Sequence, residues 1–451
     1  MNLEQERLRL NDVQPAIRRE ALDSLLAACR AGTLTCSPQT SAVNLHCHTI
    51  FSYNGYGHSP TSLAWLAREQ GWHAVGMVDF DVLDAVEECL AACDRTEVRG
   101  VAGLETRTFL PEYADREINS PGEPGVCYHI GLGFTSPIAP APAATVLADM
   151  RRRAAERNRT LVTRVNAYLA PVTIDYDRDV LPLTPSGNAT ERHILVAYDS
   201  AARRVFPERD ALLDFWANKL GLQVAAVAKF LGDVPFPHDA IRSKLMKRGG
   251  PGYMQPDAGT FPQFDAVNQA ILACGALPIC GWLDGMSAAE QKMDELLALM
   301  VAHGVVGVNI IPDRNWNIAD PAERTRKVAK LHEVIALAEQ MDLPVIVGTE
   351  MNKAGQKLVD DFDAEALRPY REVFVRGADF IYGHTVLQRA LGLGYQSAWA
   401  QGHLPTRRER NAFYSAVGAV AQPGVETAAR VAALDPSRGP DALLAQLQAK
   451  I

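Results

Sequence analysis

Short apolar runs alternate with helix-length amphipathic segments along most of this 451-residue chain, and that alternation narrows the fold more than any other feature. Residues 42–45 read as a strand, and residues 60–70 as a helix with Pro60 in its first turn and Gly71 closing it. Residues 74–78, 98–104 and 128–134 read as further strands, with a helix from 83 to about 93 between the first two. A long charged helix over 142–168 follows, then a helix starting near Glu191. Residues 230–262 look irregular, with Pro235, Pro237, Pro251, Pro256 and Pro262. Alternation resumes with strands at 276–279, 305–311, 345–348 and 380–383, separated by helices to about 303 and over 320–340. One amphipathic helix over 4–31 precedes all of this, and an alanine-rich helical tail follows it. Repeated strand–helix units build either a parallel barrel or an open parallel sheet.

Polar residues at the strand ends favour the barrel, whose chemistry gathers at the C-terminal face of its strands. His46 and His48 close the first strand. On an extended backbone residues i and i+2 point the same way, so two neutral imidazoles can share one divalent ion. Asp79 and Asp81 end the second strand and Glu105 the third; His129 lies on the fourth, and Asp284 and Glu350 follow later ones. Arg192 and His193 stand at a helix start. The expected architecture is α/β, a TIM-like barrel with an insertion over its C-terminal face. Its segments are an N-terminal helical part (1–40), barrel (41–194), insertion or lid (195–265), barrel (266–385) and a C-terminal helical extension (386–451).

Composition removes several function classes. A net charge of −8 leaves no basic excess to neutralise phosphates, so nucleic acid is not expected as a partner. No apolar run approaches a membrane span, and the charged start MNLEQERLRL reads as no secretory signal. Eight cysteines without a C-x-x-C pair suit neither a zinc ribbon nor a disulfide scaffold, and read as reduced thiols of a cytoplasmic protein. Cys47, between the two imidazoles, should face away from them as a core filler.

With His46-Cys47-His48-Thr49 and Ser52, the turn Val78-Asp79-Phe80-Asp81, Gly103-Leu104-Glu105, His129-Ile-Gly-Leu-Gly, Arg192-His193-Ile194 and Gly348-Thr349-Glu350, the chain resembles the PHP (polymerase and histidinol phosphatase) family of metal-dependent phosphoesterases, over about 46–352. The resemblance implies a distorted barrel of seven β/α units holding two or three divalent ions. It maps one ion onto His46, His48, Glu105 and Glu350. A second maps onto Glu105 and His129, with Trp282 where a further ligand is expected and His193 or Asp284 as compensating candidates. The third ion's positions fall largely on Tyr53, Phe80 and Asn352, which are not ligands for it. One to two ions are therefore expected, with zinc, manganese and iron all compatible with histidine and carboxylate donors.

Each candidate has a plainer alternative. Glu105 on an apolar strand either ligates or pairs in a salt bridge, because an unpaired buried carboxylate is costly. His129 is a ligand or a hydrogen-bonded core residue. His193 binds an ion, grips phosphate or caps its helix. Arg192 is a bidentate phosphate partner or a surface arginine. Asp79 and Asp81 orient ligand histidines or shape a turn. Lys244, Lys247 and Arg248, before Gly249-Gly250-Pro251-Gly252, form a basic lid over an anionic substrate or a solvated loop. His384, after the 380–383 run, is a candidate general acid or substrate contact. The expected activity is hydrolysis of a small phosphorylated metabolite through a metal-activated water. The alternatives are hydrolysis of a non-phosphate bond, as in amidohydrolase-like barrels, and a catalytically silent PHP module. The C-terminal helices leave a homo-oligomer open.

Overall fold

Seven strands form one sheet in chain order: β1 (Val43–Cys47), β2 (Ala74–Phe80), β3 (Arg99–Phe109), β4 (Val126–Leu132), β5 (Leu277–Trp282), β6 (Gly307–Ile310) and β7 (Val345–Val347). Nearly every strand residue is buried, as the continuous apolar runs require of strands covered on both faces. Beyond β7 the backbone returns to β1. The Glu350 N–H donates to the His46 carbonyl, and the His48 N–H to the Glu350 carbonyl, each at 2.7 Å. The sheet thus curls into a nearly closed, distorted TIM-like barrel. This computed structural model describes residues 2–449; the first residue and the last two, at the ends of the terminal segments, lie outside the described residues.

One strand departs from the parallel pattern. β4 runs antiparallel to both β3 and β5, while the other pairs are parallel. Its C-terminal end therefore lies at the foot of the barrel, opposite the mouth where the other strands end. There the Gly133 and Phe134 N–H groups donate to the Ala102 carbonyl at 2.9 and 3.1 Å. The chain rejoins the sheet at the mouth, where the Phe109 N–H donates to the Pro262 carbonyl at 2.9 Å.

The 380–383 run is not a strand. It lies inside the helix Arg371–Leu391, whose residues from Gly377 to Leu387 are all buried. A short apolar run cannot by itself distinguish a strand from a helix buried all round. This helix crosses Arg407–Val420 at close range: a Cβ on Gly383 would lie 2.0 Å from the Tyr414 carbonyl oxygen, and one on Gly418 1.9 Å from that of Asp379. Tyr414, Val417, Val431 and Leu443 join the core of β5, β6 and β7, so the C-terminal helices pack on the barrel. At the N-terminus the single expected helix is two, Leu3–Arg9 and Pro15–Arg30, because Pro15 starts a new helix at its first turn.

The chain divides into two compact units. One takes in the chain up to Ile50, Asn54–Leu147 and the chain from Pro262 onward; the other comprises Phe51–Tyr53 and Ala148–Phe261. The second unit is helical around a core of Val165, Leu169, Tyr198, Trp216 and Leu245. Arg203 binds Asp199 at 3.1 Å and the carbonyls of Gly232, Asp233 and Val234, fixing the proline-containing loop. Among the described residues no helix is long and apolar enough to cross a membrane.

Candidate metal centre

His46 and His48 emerge from the end of β1 with ring centroids 5.3 Å apart, and both are fully buried. Asn309 on β6 fixes the first ring. Its amide nitrogen donates to the Ile346 carbonyl at 3.3 Å, so its oxygen faces His46 Nδ1 at 2.8 Å. That oxygen accepts a hydrogen bond from the Nδ1–H, so the neutral ring carries its lone pair on Nε2. Gly348 admits the ring's backbone: a Cβ there would lie 2.3 Å from His46 Cβ. His48 is stacked on Phe80, with centroids 4.3 Å apart.

Glu105 completes the group. On β3 it pairs with Phe80, the last residue of β2, although β3 itself runs on to Phe109 in a hairpin with β4. Its Oε2 lies 3.4 Å from His46 Nε2 and 3.2 Å from His48 Nε2. A charge-assisted hydrogen bond would be about 2.7–2.9 Å. Ligands about 2.0–2.1 Å from a tetrahedral zinc ion stand about 3.3 Å from one another, which is the spacing found. All three donor atoms lie within 4.8 Å of one another, and His46 Nε2 is buried without a hydrogen bond. The residues fit a divalent ion.

Electrostatics agree. Burial pushes the Glu105 carboxyl up, but His46 and His48 more than offset it and hold it well below the usual carboxylate range. Burial depresses His46, and the carboxylates of Glu105 and Glu350 raise it on balance. Without an ion, a proton on an imidazole balances Glu105; an ion would replace that proton.

Glu350 stands beside the group with both oxygens engaged. Oε1 accepts from Arg314 Nη2, and Oε2 from Asn352 Nδ2 at 3.2 Å. Its backbone is left-handed, with φ of 63°, and is held there by the two closing bonds to His46 and His48. Arg314, on the short helix Asp313–Trp316 after β6, was not among the sequence candidates. The signal available was its place after a strand, masked because arginine is not a ligand type.

His129 does not join the group. In the antiparallel ladder Glu105 opposes Ile130 and Thr106 opposes His129, so His129 points to the other face of the sheet. There its Nε2 meets Asn268 Oδ1 at 2.6 Å and its ring packs on Phe264; burial lowers its pKa to about 4. Glu105 and His129 are thus not placed to share the expected second ion. His384 is likewise corrected as a general acid. It is fully buried in Arg371–Leu391 against Gly133, at the foot of the barrel, with Nδ1 accepting from the Tyr395 N–H at 3.0 Å. Burial lowers its pKa to about 3, so it holds no proton to give near neutral pH. Asp284 pairs with Lys327 at 3.1 Å, and Trp282 is buried.

Positions mapped to the third ion serve the scaffold. Phe80 braces His48 and Asn352 braces Glu350. Asn54, next to Tyr53, donates to the His48 carbonyl at 2.7 Å and accepts from the N–H groups of Tyr56 and His58. Asp79 receives the Thr49 N–H at 2.8 Å and its hydroxyl at 2.7 Å, fixing the turn after His48; Asp81 accepts from the Thr106 hydroxyl.

The remaining candidates belong to the second unit. Thr190 caps Glu191–Val205, with its N–H donating to His193 Nδ1 at 3.1 Å, so His193 takes the helix-capping alternative for that nitrogen. Burial lowers its pKa to about 4. Arg192 donates to Asp239 at 3.2 Å and lies 5.7 Å from the Tyr53 ring centroid. Lys247 pairs with Glu191 at 2.8 Å, which Arg242 shares, and Arg248 is exposed on the following turn.

No protein-family model matches the chain, and no curated protein matches it. Among solved structures it is similar to an amidohydrolase from Chromobacterium violaceum with bound sulfate and no metal, at 16% identity and a TM-score of 0.47, over 74% of this chain and 95% of that one. It is also similar to a candidate metal-dependent phosphoesterase from Bifidobacterium adolescentis, at 20% identity and a TM-score of 0.47, over 75% of this chain and 98% of that one.

Proposed function

We propose that the protein is a metal-dependent hydrolase, and that its substrate is a small phosphorylated metabolite. The observation that carries this reading is the buried triad of His46, His48 and Glu105 at tetrahedral ligand spacing. A divalent ion held there supplies Lewis acidity and brings the pKa of a water toward neutrality. Around it the chain's own residues do defined work. Asn309 fixes the proton of the neutral His46 ring on Nδ1, Phe80 holds the plane of His48, and Glu105 brings the negative charge that favours a cation. Arg314 offers a guanidinium beside Glu350, suited to an anionic group. For Arg192, Lys247 and Arg248 the proposal is that their charge serves phosphate binding.

A second reading is hydrolysis of a non-phosphate bond, such as an ester, lactone or amide. It is favoured by a triad that suits a single ion. Purified protein, analysed for metal and screened for phosphate release from phosphorylated metabolites, separates the two. Bound transition metal with phosphate release that disappears in His48→Ala supports the phosphoesterase. Metal with turnover only of neutral esters or lactones shifts the assignment to the second reading. Protein that takes up no metal under any loading condition overturns both and leaves a silent module.

A further inference from the structure

Two carboxylate residues, Glu105 and Glu350, stand at His46: Glu105 Oε2 lies 3.4 Å from its Nε2, and the Glu350 N–H donates to its carbonyl at 2.7 Å. In a two-ion centre a second metal would balance them. The strand histidine expected to hold it, His129, faces the other side of the sheet. A different cation is present instead. Arg314 follows β6, the strand that also supplies Asn309 to His46, and it donates to Glu350. Its acidic neighbours are Glu350 and Glu105.

That guanidinium is tethered rather than consumed. Arginine carries five N–H donors, and its hydrogen bonding within the described residues is to Glu350 alone. Its side chain retains 37% exposure, whereas that of Glu350 retains 11%, so the arginine is the more accessible partner of the pair. A purely structural ion pair has no need of donors left open beside a ligand triad.

Formal charge points the same way. Glu105 and Glu350 against Arg314 leave the cluster with one net negative charge when the imidazoles are neutral. One divalent ion brings it to one net positive charge, matched to an anionic substrate; two ions would bring it to three.

We propose that Arg314 is the second cation of this site: the triad takes one metal ion, and the guanidinium, anchored by Glu350, binds a phosphoryl oxygen in place of a second ion. The inference rests on the metal-dependent phosphoesterase reading and adds to it the number of ions and the group that grips the anion.

The test uses the full chain, loaded with zinc and freed of excess metal. Ions per chain are counted by mass spectrometry, and inorganic phosphate is titrated calorimetrically into wild type, Arg314→Gln and Arg314→Lys, with thermal unfolding as the check on folding. The expected result is one ion in the wild type, and phosphate binding weakened by about tenfold or more in Arg314→Gln with the ion retained. Arg314→Lys, which keeps the charge and can keep the pair with Glu350, should fall between them, and carries the comparison if Arg314→Gln does not fold. Two ions in the wild type would overturn the inference while leaving the hydrolase reading intact. Phosphate affinity unchanged in the folded variants would overturn it as well. A wild type that binds no ion would overturn both.

Discussion

The direction in which one amide points governs how tightly this site would hold a metal ion. Asn309 sets the proton on His46 Nδ1, so Asn309→Leu should weaken zinc binding by about 10–100-fold with all three ligands intact; competition with a chromogenic chelator measures this. The pH dependence follows from His46, whose pKa the facing carboxylates raise above 6.5 despite burial. In ion-free protein its imidazolium contributes stability that is fully present below about pH 6.5 and lost as pH rises through the raised value. The ion needs the neutral ring. The increase in Tm on adding zinc should therefore be larger at about pH 8 than at about pH 6, and a flat or opposite trend in thermal scans would count against ligation by His46. At this scale the sequence was readable where a local rule applied. The i, i+2 rule brought His46 and His48 together, and burial cost flagged Glu105. His129 was unreadable because the face it presents depends on pairing register, where a shift of one residue reverses every side chain. Arg314 was passed over because its role comes from neighbours supplied by β3 and the turn after β7.

At the scale of elements, close approach carries much of the order. Gly348 lets the β7 end meet β1, and Gly383 lets Arg371–Leu391 meet Arg407–Val420. Gly383→Ala should destabilise the protein by about 1–3 kcal/mol through overpacking, because the atom it meets is a backbone oxygen with little room to shift. Chemical denaturation of the two proteins side by side would show it. Most strands could be located from sequence because parallel strands buried on both faces are continuous apolar runs. Their directions could not. A parallel strand and a hairpin strand look alike when both are buried, so the reversal of β4 left no local trace. The 380–383 run misled for a related reason, since its helical partners at 407–420 lie beyond the window in which a period can be read.

Across the whole molecule, the C-terminal helices belong to the barrel's core. Buried Arg99 at the start of β3 donates to the carbonyls of Gly418 and Ala419 at 3.1 and 3.0 Å, capping the end of Arg407–Val420. Ending the chain before Arg407 strips these acceptors from a buried charge and uncovers Phe380 and Leu387. The truncated protein should lose its cooperative unfolding transition and bind the dye ANS, as read by calorimetry and fluorescence. The alternation of strands and helices made the barrel legible, whereas the tail's attachment was not, because helix docking depends on contacts some 300 residues apart, such as Arg99 with Gly418.

The reversed strand also governs how this architecture can be cut and rejoined. The chain leaves the sheet beside Ala102 and returns beside Phe109, seven strand residues further up β3. At about 3.4 Å per residue the two points are about 24 Å apart. A guest domain with adjoining ends can be excised and the scar closed with a couple of glycines. Here β4 ends at the foot beside the start of β5, yet the excursion re-enters at the mouth. Any replacement that keeps the helix Phe264–Ala273 must climb the full height of the barrel before that helix brings the chain back down to β5.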